Sequence, residues 1–393
     1  MFGYDGTPAP FFIPDHTHTH THTHTHTAQA QFTCPLTCFS QIKAIKEGSV
    51  IRQDSSADTA DRRPQRPRLA RRNIMDTVWW IAPFALPAVL FALCSLYLLR
   101  NPQVLHRRKH LAFSSRHVSH RGGAGERIEN TMEAFTHAVE AGTEMLELDC
   151  HLTLDGYVMV SHDKNLERQT GHDVPISSLK LQDLPLYRKK LEVTFYVGHY
   201  STGQDRKFAL LEDVFKTFPE MPINIEVKEN NDLLIKKVSS LVKKYGRESI
   251  TVWATEDSDI MAKCRKQGPA MPYSFTMRRG ILLLVLFYTG LLPFVPLGES
   301  LLQFYLPSVI NRTYIPEESI LKKRFVVYLM EKLTMRKSLF DHLVKRGMQV
   351  QLFVCNEESD MDAAFSVGAT GVMSDYPTLL SEYLKKHPVP PAM

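Results

Sequence analysis

Four short motifs in the middle of the chain combine residues that can transfer protons, hold phosphate or bind metal. Each motif directly follows a short apolar run, as at the end of a β-strand. In α/β barrels, the residues that do chemistry come from the carboxyl ends of the strands. We therefore expect the motifs to meet at one mouth of a barrel. In chain order they are His120-Arg121-Gly122-Gly123, Glu147-Leu148-Asp149, Ser161-His162-Asp163 and Glu226-Val227-Lys228.

Three carboxylates in these motifs predict a metal site. Glu147 and Asp149 lie two residues apart, so a strand points both side chains to the same face, and Glu226 and Lys228 share a face by the same rule. Burying carboxylates together is costly unless a cation offsets their charge. All-oxygen ligation favours Mg²⁺ or Ca²⁺. The alternative is an internal salt-bridge network of these acids with Arg121 and Lys228.

The two histidines and the arginine predict phosphate chemistry beside this metal. His120 and His162 suit a general acid and a general base. Arg121 can hold a phosphate oxygen through two hydrogen bonds. The alternative for each histidine is a structural role in the core. Taken together, the residue types indicate metal-assisted attack on a phosphodiester.

Alternating strand-like and helix-like segments follow from residue 116 onward and predict the scaffold. Asn130-Thr131-Met132-Glu133 is typical of a helix start. Alternating β and α units over about 270 residues favour a parallel sheet, and a closed (β/α)8 barrel matches this length. Residues 164–205 indicate a small insertion after the third strand. The expected strands are Glu144–Cys150, Tyr157–Ser161, Ile223–Lys228, Ile250–Ala254, Tyr273–Thr276, Val350–Cys355 and Gly371–Ser374.

Composition limits the alternatives. The 393 residues are 44% hydrophobic and 23% charged, which excludes an intrinsically disordered protein. The net charge of +5 is too small to indicate a nucleic-acid partner. The six cysteines are scattered, so neither a disulfide framework nor a zinc site is expected. The oligomeric state is not indicated.

The amino-terminal part differs from the rest of the chain. Residues 1–74 contain a His/Thr tract and an Arg/Pro-rich run, so we expect a disordered, low-complexity extension. Val78–Leu99 carries no charge over 22 residues, which is long enough to span a bilayer. We expect a transmembrane anchor over residues 75–100, with a cleaved signal peptide as the alternative. Basic residues flank both ends, so the side of the membrane that carries the barrel stays open.

A second apolar stretch interrupts the barrel pattern. Ile281–Leu297 has no charge over 17 residues, which is borderline for a bilayer span. A full crossing would split the domain. We therefore expect a segment that lies in the membrane interface near the mouth of the barrel. The alternative is that its leucines pack over the outer helices.

The ordered motifs resemble those of the glycerophosphodiester phosphodiesterase family. HRGGAGERIENT, MLELDCHLTLDGYVMVSHD, INIEVK and GATGVMSDYP are similar to four family motifs, and the likeness covers about residues 116–383. The apolar segments resemble the membrane-bound subgroup with lysophospholipase D activity. Two departures are Phe353-Val354-Cys355-Asn356, where the family often has Trp-Thr-Val-Asn, and Ser374-Asp375, where it has Thr-Asp. The aromatic wall over the substrate is then expected from Phe353 or from elsewhere.

The resemblance implies a (β/α)8 barrel over residues 115–385 and a set of roles. His120 and His162 would be the acid–base pair and Arg121 a phosphate ligand. Lys228 would bind phosphate or a carboxylate. Glu147, Asp149 and Glu226 would bind the divalent cation, and some assignments add His162 to the metal ligands.

The resemblance also implies an activity and a location. Lysophosphatidylcholine, lysophosphatidylethanolamine or N-acyl lysophosphatidylethanolamine would give lysophosphatidic acid and choline, ethanolamine or an N-acylethanolamine. The location would be a membrane, with the endoplasmic reticulum and perinuclear membranes expected. The alternatives are an enzyme for water-soluble glycerophosphodiesters and an inactive membrane scaffold.

Overall fold

The computed structural model describes residues 69–388 of the chain, and its centre is a parallel sheet. Seven strands pair side by side in the order β7-β6-β2-β1-β10-β9-β8, all parallel. The ten strands are β1 (His117–Ser119), β2 (Met145–Leu152), β3 (Val158–Val160), β4 (Lys190–Glu192), β5 (Tyr200–Thr202), β6 (Ile223–Val227), β7 (Thr251–Ala254), β8 (Leu301–Tyr305), β9 (Gln349–Phe353) and β10 (Gly371–Ser374).

A short eighth segment closes this sheet into a barrel. Tyr273 forms a parallel bridge to Trp253 of β7, and Ser274 forms one to Leu301 of β8. The predicted strand at residues 273–276 is therefore reduced to two bridging residues. β8 itself was not among the strands expected from sequence, because it directly follows the long uncharged stretch. The closed arrangement of eight parallel segments confirms the (β/α)8 barrel.

One predicted strand does not belong to the barrel. β3 pairs antiparallel with β2, with Cys150 opposite Val160. The expectation that the third motif follows a parallel strand is therefore wrong. The cause is the length of β2, which continues past the barrel to Leu152 and turns back on itself. Because β3 runs back toward the mouth of the barrel, its carboxyl end, which precedes the third motif, still lies beside β2.

The insertion follows β3 and has an apolar core of its own. It holds a short helix and the antiparallel pair β4 and β5. Met159 of β3, Leu166 and Tyr187 are fully buried together in this core. The insertion therefore gives the end of β3 a rigid support.

Helices surround the barrel and bury apolar faces against it. Thr131, whose side-chain oxygen accepts from the backbone N–H of Ala134 at 3.1 Å, begins the first helix that follows β1. Glu133 of the predicted capping motif instead binds the backbone of the insertion at Gln204. The helices are α1 (Leu69–Arg100), α2 (Met132–Glu140), α3 (Glu167–Thr170), α4 (Leu211–Thr217), α5 (Asp232–Lys244), α6 (Ser258–Gln267), α7 (Met277–Tyr288), α8 (Arg324–Thr334), α9 (Lys337–Lys345), α10 (Glu358–Ser366) and α11 (Pro377–Lys386).

Most of the amino-terminal extension predicted over residues 1–74 lies outside the described residues. α1 begins at Leu69, so the predicted boundary between residues 74 and 75 falls inside this helix. Its part Pro83–Arg100 is long and apolar enough to cross a membrane, and most of that part is exposed. Near its end, Ser95 Oγ donates to the Gly290 carbonyl at 2.6 Å. α1 therefore contacts the barrel domain at the segment that follows α7.

The second apolar stretch does not form a spanning helix. Residues 281–288 complete α7, whose 12 residues reach about 18 Å, well short of the roughly 30 Å of a bilayer core. The stretch then turns at Gly290 and continues to residue 297 outside any long helix. As in any β/α unit, α7 starts near the mouth and runs toward the opposite end. Only its beginning therefore lies beside the motifs.

Candidate active site

Two neighbouring strands bring the three predicted carboxylates together. Glu147 and Asp149 lie on β2, and Glu226 lies on β6 directly opposite Asp149. One carboxylate oxygen from each residue lies within 4.8 Å of the other two. All three side chains line one cavity at the mouth of the barrel. The predicted trio is thus assembled with the spacing of a shared cation site.

The electrostatics of this trio favour a cation. Burial, with Asp149 and Glu226 close by, raises the pKa of the Glu147 carboxyl well above its usual range. Burial likewise raises the pKa of Glu226 to about 7. Burial also acts to raise the pKa of Asp149, but Lys228 outweighs it and holds that pKa below its usual value. Grouped buried carboxylates are stable only when opposite charge offsets them.

Of the three acids, only Asp149 forms the salt bridges that the alternative to a metal site requires. Lys228 Nζ lies 3.0 Å from Asp149 Oδ1, and Arg121 Nε lies 4.0 Å from Asp149 Oδ2. Asp149 Oδ2 accepts no hydrogen bond from any described residue. Glu147 and Glu226 have no ion pair within residues 69–388. The donor set is therefore oxygen-rich and incompletely neutralised, which fits a hard divalent cation such as Mg²⁺ or Ca²⁺.

His120 begins the turn after β1 and is held by a residue from the last strand. Its Nδ1 lies 2.7 Å from Asp375 Oδ1, directly after β10. Asn356 Nδ2 donates to the other oxygen of Asp375 at 2.8 Å, and the Asp375 N–H donates to Asn356 Oδ1. This clamp leaves the second ring nitrogen of His120 for the cavity that the residue lines.

His162 reaches the same cavity from the insertion side. The Ser161 N–H donates to the Asp149 carbonyl at 3.0 Å, which fixes the end of β3 beside β2. His162 Nδ1 lies 2.6 Å from Asp163 Oδ1. Burial, followed by the charge of Arg121, lowers the pKa of His162 to about 4, so the imidazole is uncharged at neutral pH. Among the described residues, the side chains whose possible metal-binding atoms lie close together are those of the three acids, and His162 is not one of them.

Arg121 is fixed in a strained turn next to the acids. It has a φ of 49°, and its backbone N–H donates to Glu147 Oε2 at 2.9 Å. Gly122 follows with a φ of 76°, and a Cβ there would lie 2.6 Å from the ring of Phe135. The turn therefore requires glycine at that position. Arg121 Nη1 donates to Glu129 Oε2 at 3.1 Å, and Nε has no hydrogen-bond partner among the described residues.

Several supporting residues were missed by the sequence reasoning. Glu129 joins Arg121 to Arg168 of α3, and Arg168 also binds Asp163 beside His162. Asp375 holds His120 as described above. Glu129 and Asp375 both stand inside motifs quoted from the sequence, so their positions were visible. Their partners were not, because the contacts join segments far apart in the chain.

An aromatic group covers the mouth near His120. The ring of Phe195, from the insertion, meets His120 edge-on at 5.3 Å and stacks on Tyr314 at 4.4 Å. Tyr305 at the end of β8 lies 4.5 Å from Phe353. Phe195, Tyr305 and Phe353 all line the cavity. The expected aromatic wall thus comes from Phe353 and from the insertion.

The cavity extends from the acids into an apolar region, here called the gallery. Its volume is about 480 Å³. At one end lie the acids, both histidines, Arg121 and Lys228. At the other end, side chains of α7, β8, α8 and α9 form the gallery. Its lining residues include Met277, Gly280, Ile281, Leu283, Leu284, Leu302, Phe304, Val326, Leu329, Met330, Leu333 and Phe340.

Comparison with known proteins supports both the fold and the chemistry. The sequence model of the Glycerophosphoryl diester phosphodiesterase family matches residues 120–379. Lysophospholipase D GDPD1 of Homo sapiens is 50% identical over 294 residues, 75% of this chain and 94% of that protein. Lysophospholipase D GDPD3 of Homo sapiens is 48% identical over 305 residues, 77% of this chain and 96% of that protein.

A solved structure gives the same result for the fold alone. The glycerophosphoryl diester phosphodiesterase domain of an uncharacterized Mycobacterium tuberculosis protein superposes with a TM-score of 0.53. It is 18% identical and covers 69% of this chain and 99% of its own. With a family match over most of the barrel and relatives near half identity, the chain belongs to the glycerophosphoryl diester phosphodiesterase family and is a phosphodiester hydrolase.

Proposed function

We propose that this hydrolase is a metal-dependent lysophospholipase D that removes the headgroup alcohol from lysophospholipids. The observation that carries the proposal is the continuity of the cavity, which joins the acid trio to the apolar gallery. A lysophospholipid has the same two parts, a phosphodiester and a single acyl chain. The two human relatives described above are named Lysophospholipase D, which is consistent with this substrate class.

In the proposed reaction, Glu147, Asp149 and Glu226 would hold a divalent cation. When bound, the cation supplies positive charge that polarises the phosphoryl group. Arg121, whose Nε has no hydrogen-bond partner among the described residues, would donate to a phosphoryl oxygen. Lys228 would keep Asp149 ionised and add positive charge beside the phosphate.

The two histidines would divide the proton transfers. His162 is uncharged at neutral pH because it is buried beside Arg121, so it suits the proton acceptor for the nucleophile. That nucleophile would be water, or the 2-hydroxyl of the substrate's glycerol, in which case a cyclic phosphate would form first and water would then open it to lysophosphatidic acid. His120, oriented by Asp375, would donate a proton to the oxygen of the leaving alcohol.

The gallery distinguishes this substrate class from water-soluble glycerophosphodiesters, which need no apolar cavity. The products would be lysophosphatidic acid and choline, ethanolamine or, from N-acyl lysophosphatidylethanolamine, an N-acylethanolamine. Because the substrate is a lipid and Pro83–Arg100 can cross a bilayer, we place the protein in membranes, with the endoplasmic reticulum and perinuclear membranes as the proposed sites.

The decisive experiment compares choline release from lysophosphatidylcholine with release from glycerophosphocholine, each with and without EDTA. We expect lysophosphatidylcholine to react faster and both reactions to stop on chelation. Preference for glycerophosphocholine would favour the enzyme of water-soluble diesters instead. Absence of turnover on either substrate would favour the inactive scaffold.

A further inference from the structure

α8 lies on the surface of the barrel with apolar residues on two sides. Thr334 is its one buried residue. Val326, Met330 and Leu333 line the gallery, at the i, i+4 and i+7 positions of one helical stripe. Phe325 and Tyr328, on the adjacent stripe, are 73% and 57% exposed and do not line the cavity. A helix that is apolar toward both the cavity and the outside needs a second apolar environment.

α7 forms the opposite wall of the gallery and has the same property. Val285 and Tyr288, which do not line the cavity, are about half exposed on its outer side, whereas Leu283 is buried. A hydrogen bond from Tyr288 Oη to the Leu333 carbonyl, at 2.9 Å, joins the two helices. α7 and α8 therefore each line the gallery with one side and expose apolar residues on the other.

The charges around α8 identify the kind of surface that it would meet. Lys322, Lys323 and Arg324 precede or begin the helix, and Lys332 lies over the ring of Tyr328 at 5.4 Å. Among residues 69–388, none of these four cations forms a salt bridge. Glu331 is the one acidic residue of α8, so basic groups prevail around its exposed aromatic face, as in helices that lie in an anionic membrane interface.

The candidate membrane helix continues this surface. Phe91 of α1 stacks on Phe294 with 6.1 Å between ring centroids, and Ser95 binds the Gly290 carbonyl. Both contacts fall in the segment that directly follows α7. The segment that follows α7 is therefore adjacent to a helix that is itself able to enter a bilayer.

We propose that the outer faces of α7 and α8 insert into the surface of an anionic bilayer, and that the gap between them is the portal through which an acyl chain passes from the bilayer into the gallery. The identity of the entering lipid as a lysophospholipid rests on the proposed function. The contact of α8 with the bilayer does not, because it follows from exposure and charge.

The first test measures the contact itself. The full chain is reconstituted into phosphatidylcholine vesicles containing phosphatidylglycerol, with the photoreactive residue benzoylphenylalanine in place of Phe325. Tyr157, exposed beyond β2 on the far side of the barrel from β8, is the matched control position. We expect lipid cross-links from position 325 and about tenfold fewer from position 157, with a lower yield at 325 when phosphatidylglycerol is omitted.

The second test measures the portal. In Phe325→Ser/Tyr328→Ser we expect kcat/KM to fall about tenfold for long-chain lysophosphatidylcholine held in vesicles, and to stay the same for a short-chain analogue dissolved in water. Leu154→Ser/Tyr157→Ser, which removes two exposed apolar side chains opposite α8, is expected to change neither.

The outcomes separate the two proposals. Absence of cross-links at position 325, or equal yields at both positions, would overturn the contact with the bilayer. Equal loss on both substrates would overturn the portal and mark α8 as part of the protein's packing. A cross-linked protein that hydrolyses no lysophospholipid would overturn the proposed function and leave the membrane surface supported.

Discussion

Gly280 offers a direct test of the gallery as the acyl-chain site. It lies in α7 and lines the cavity, and a Cβ built on it meets no other atom within 4 Å. A leucine at this position would therefore point into open space without a clash. Because glycine costs about 1 kcal/mol in a helix relative to a good helix former, Gly280→Leu is expected to fold at least as well as the natural chain.

The size of the effect follows from the space that the new side chain takes. The four carbon atoms of a leucine side chain occupy the room of about four methylene groups of an acyl chain. At about 0.8 kcal/mol for each methylene that loses its apolar environment, the cost is about 3 kcal/mol, or about 200-fold in kcat/KM. Glycerophosphocholine has no acyl chain, so its hydrolysis is expected to change by less than about twofold.

The assay is the ratio of kcat/KM for a long-chain lysophosphatidylcholine to that for glycerophosphocholine. Leu282→Phe adds bulk to the same helix at a position that does not line the cavity, and it is expected to keep the natural ratio. Equal losses on the two substrates would mean that Gly280 matters for the acid trio or for folding. An unchanged ratio would refute the gallery as the acyl site.

The remaining predictions concern the acid trio and the histidines. His120→Ala and His162→Ala are each expected to fold and to lower kcat about 100- to 10,000-fold, whereas His172→Ala in the insertion, whose side chain is exposed, should leave kcat unchanged; near-normal turnover of the His120 or His162 variant would remove that residue from the mechanism. Asp375→Asn is expected to lower kcat on the order of 100-fold with KM unchanged, because the amide holds the His120 ring in the wrong tautomer; a rise in KM alone would contradict this role. Activity should be lost on chelation and restored by Mg²⁺ or Ca²⁺, and rescue by Zn²⁺ alone would refute the oxygen-ligand site. Glu226→Gln should raise the Tm of the chelated protein, because one buried carboxylate is removed from the trio, and should prevent restoration by the cation; a lowered Tm would show that the trio is already neutralised without metal.

The acid trio was predictable because its geometry is local. A separation of two residues in a strand places Glu147 and Asp149 on one face, and parallel pairing places Glu226 beside them. His162 was expected near the same site for a wrong reason. An apolar run of residues indicates a strand but not its direction, and β3 proved to be antiparallel. The antiparallel pair of β2 and β3 nevertheless places His162 at the mouth of the barrel.

The apolar stretch after residue 280 was the least predictable feature. Its composition indicated an affinity for apolar surroundings but not which side chains face them. Leu283 is buried against the barrel, whereas Ile281 and Val285, two residues away on either side, are half exposed. The apolar surface of α8 is not predictable from mean hydropathy, because charged residues alternate with its apolar stripes.

The pairing of the first and last strands has a consequence for how this enzyme folds during its synthesis. A growing chain has both histidines and all three acids once residue 226 has been made, yet the partner that orients His120 is Asp375, and β1 lacks its neighbour β10 until residues 371–374 have been made. During translation, the reactive groups are therefore made before Asp375 and β10, which align them. A chain that ends before β10 would lack both the residue that orients His120 and the strand that pairs with β1, so we expect it to be less active than the full chain.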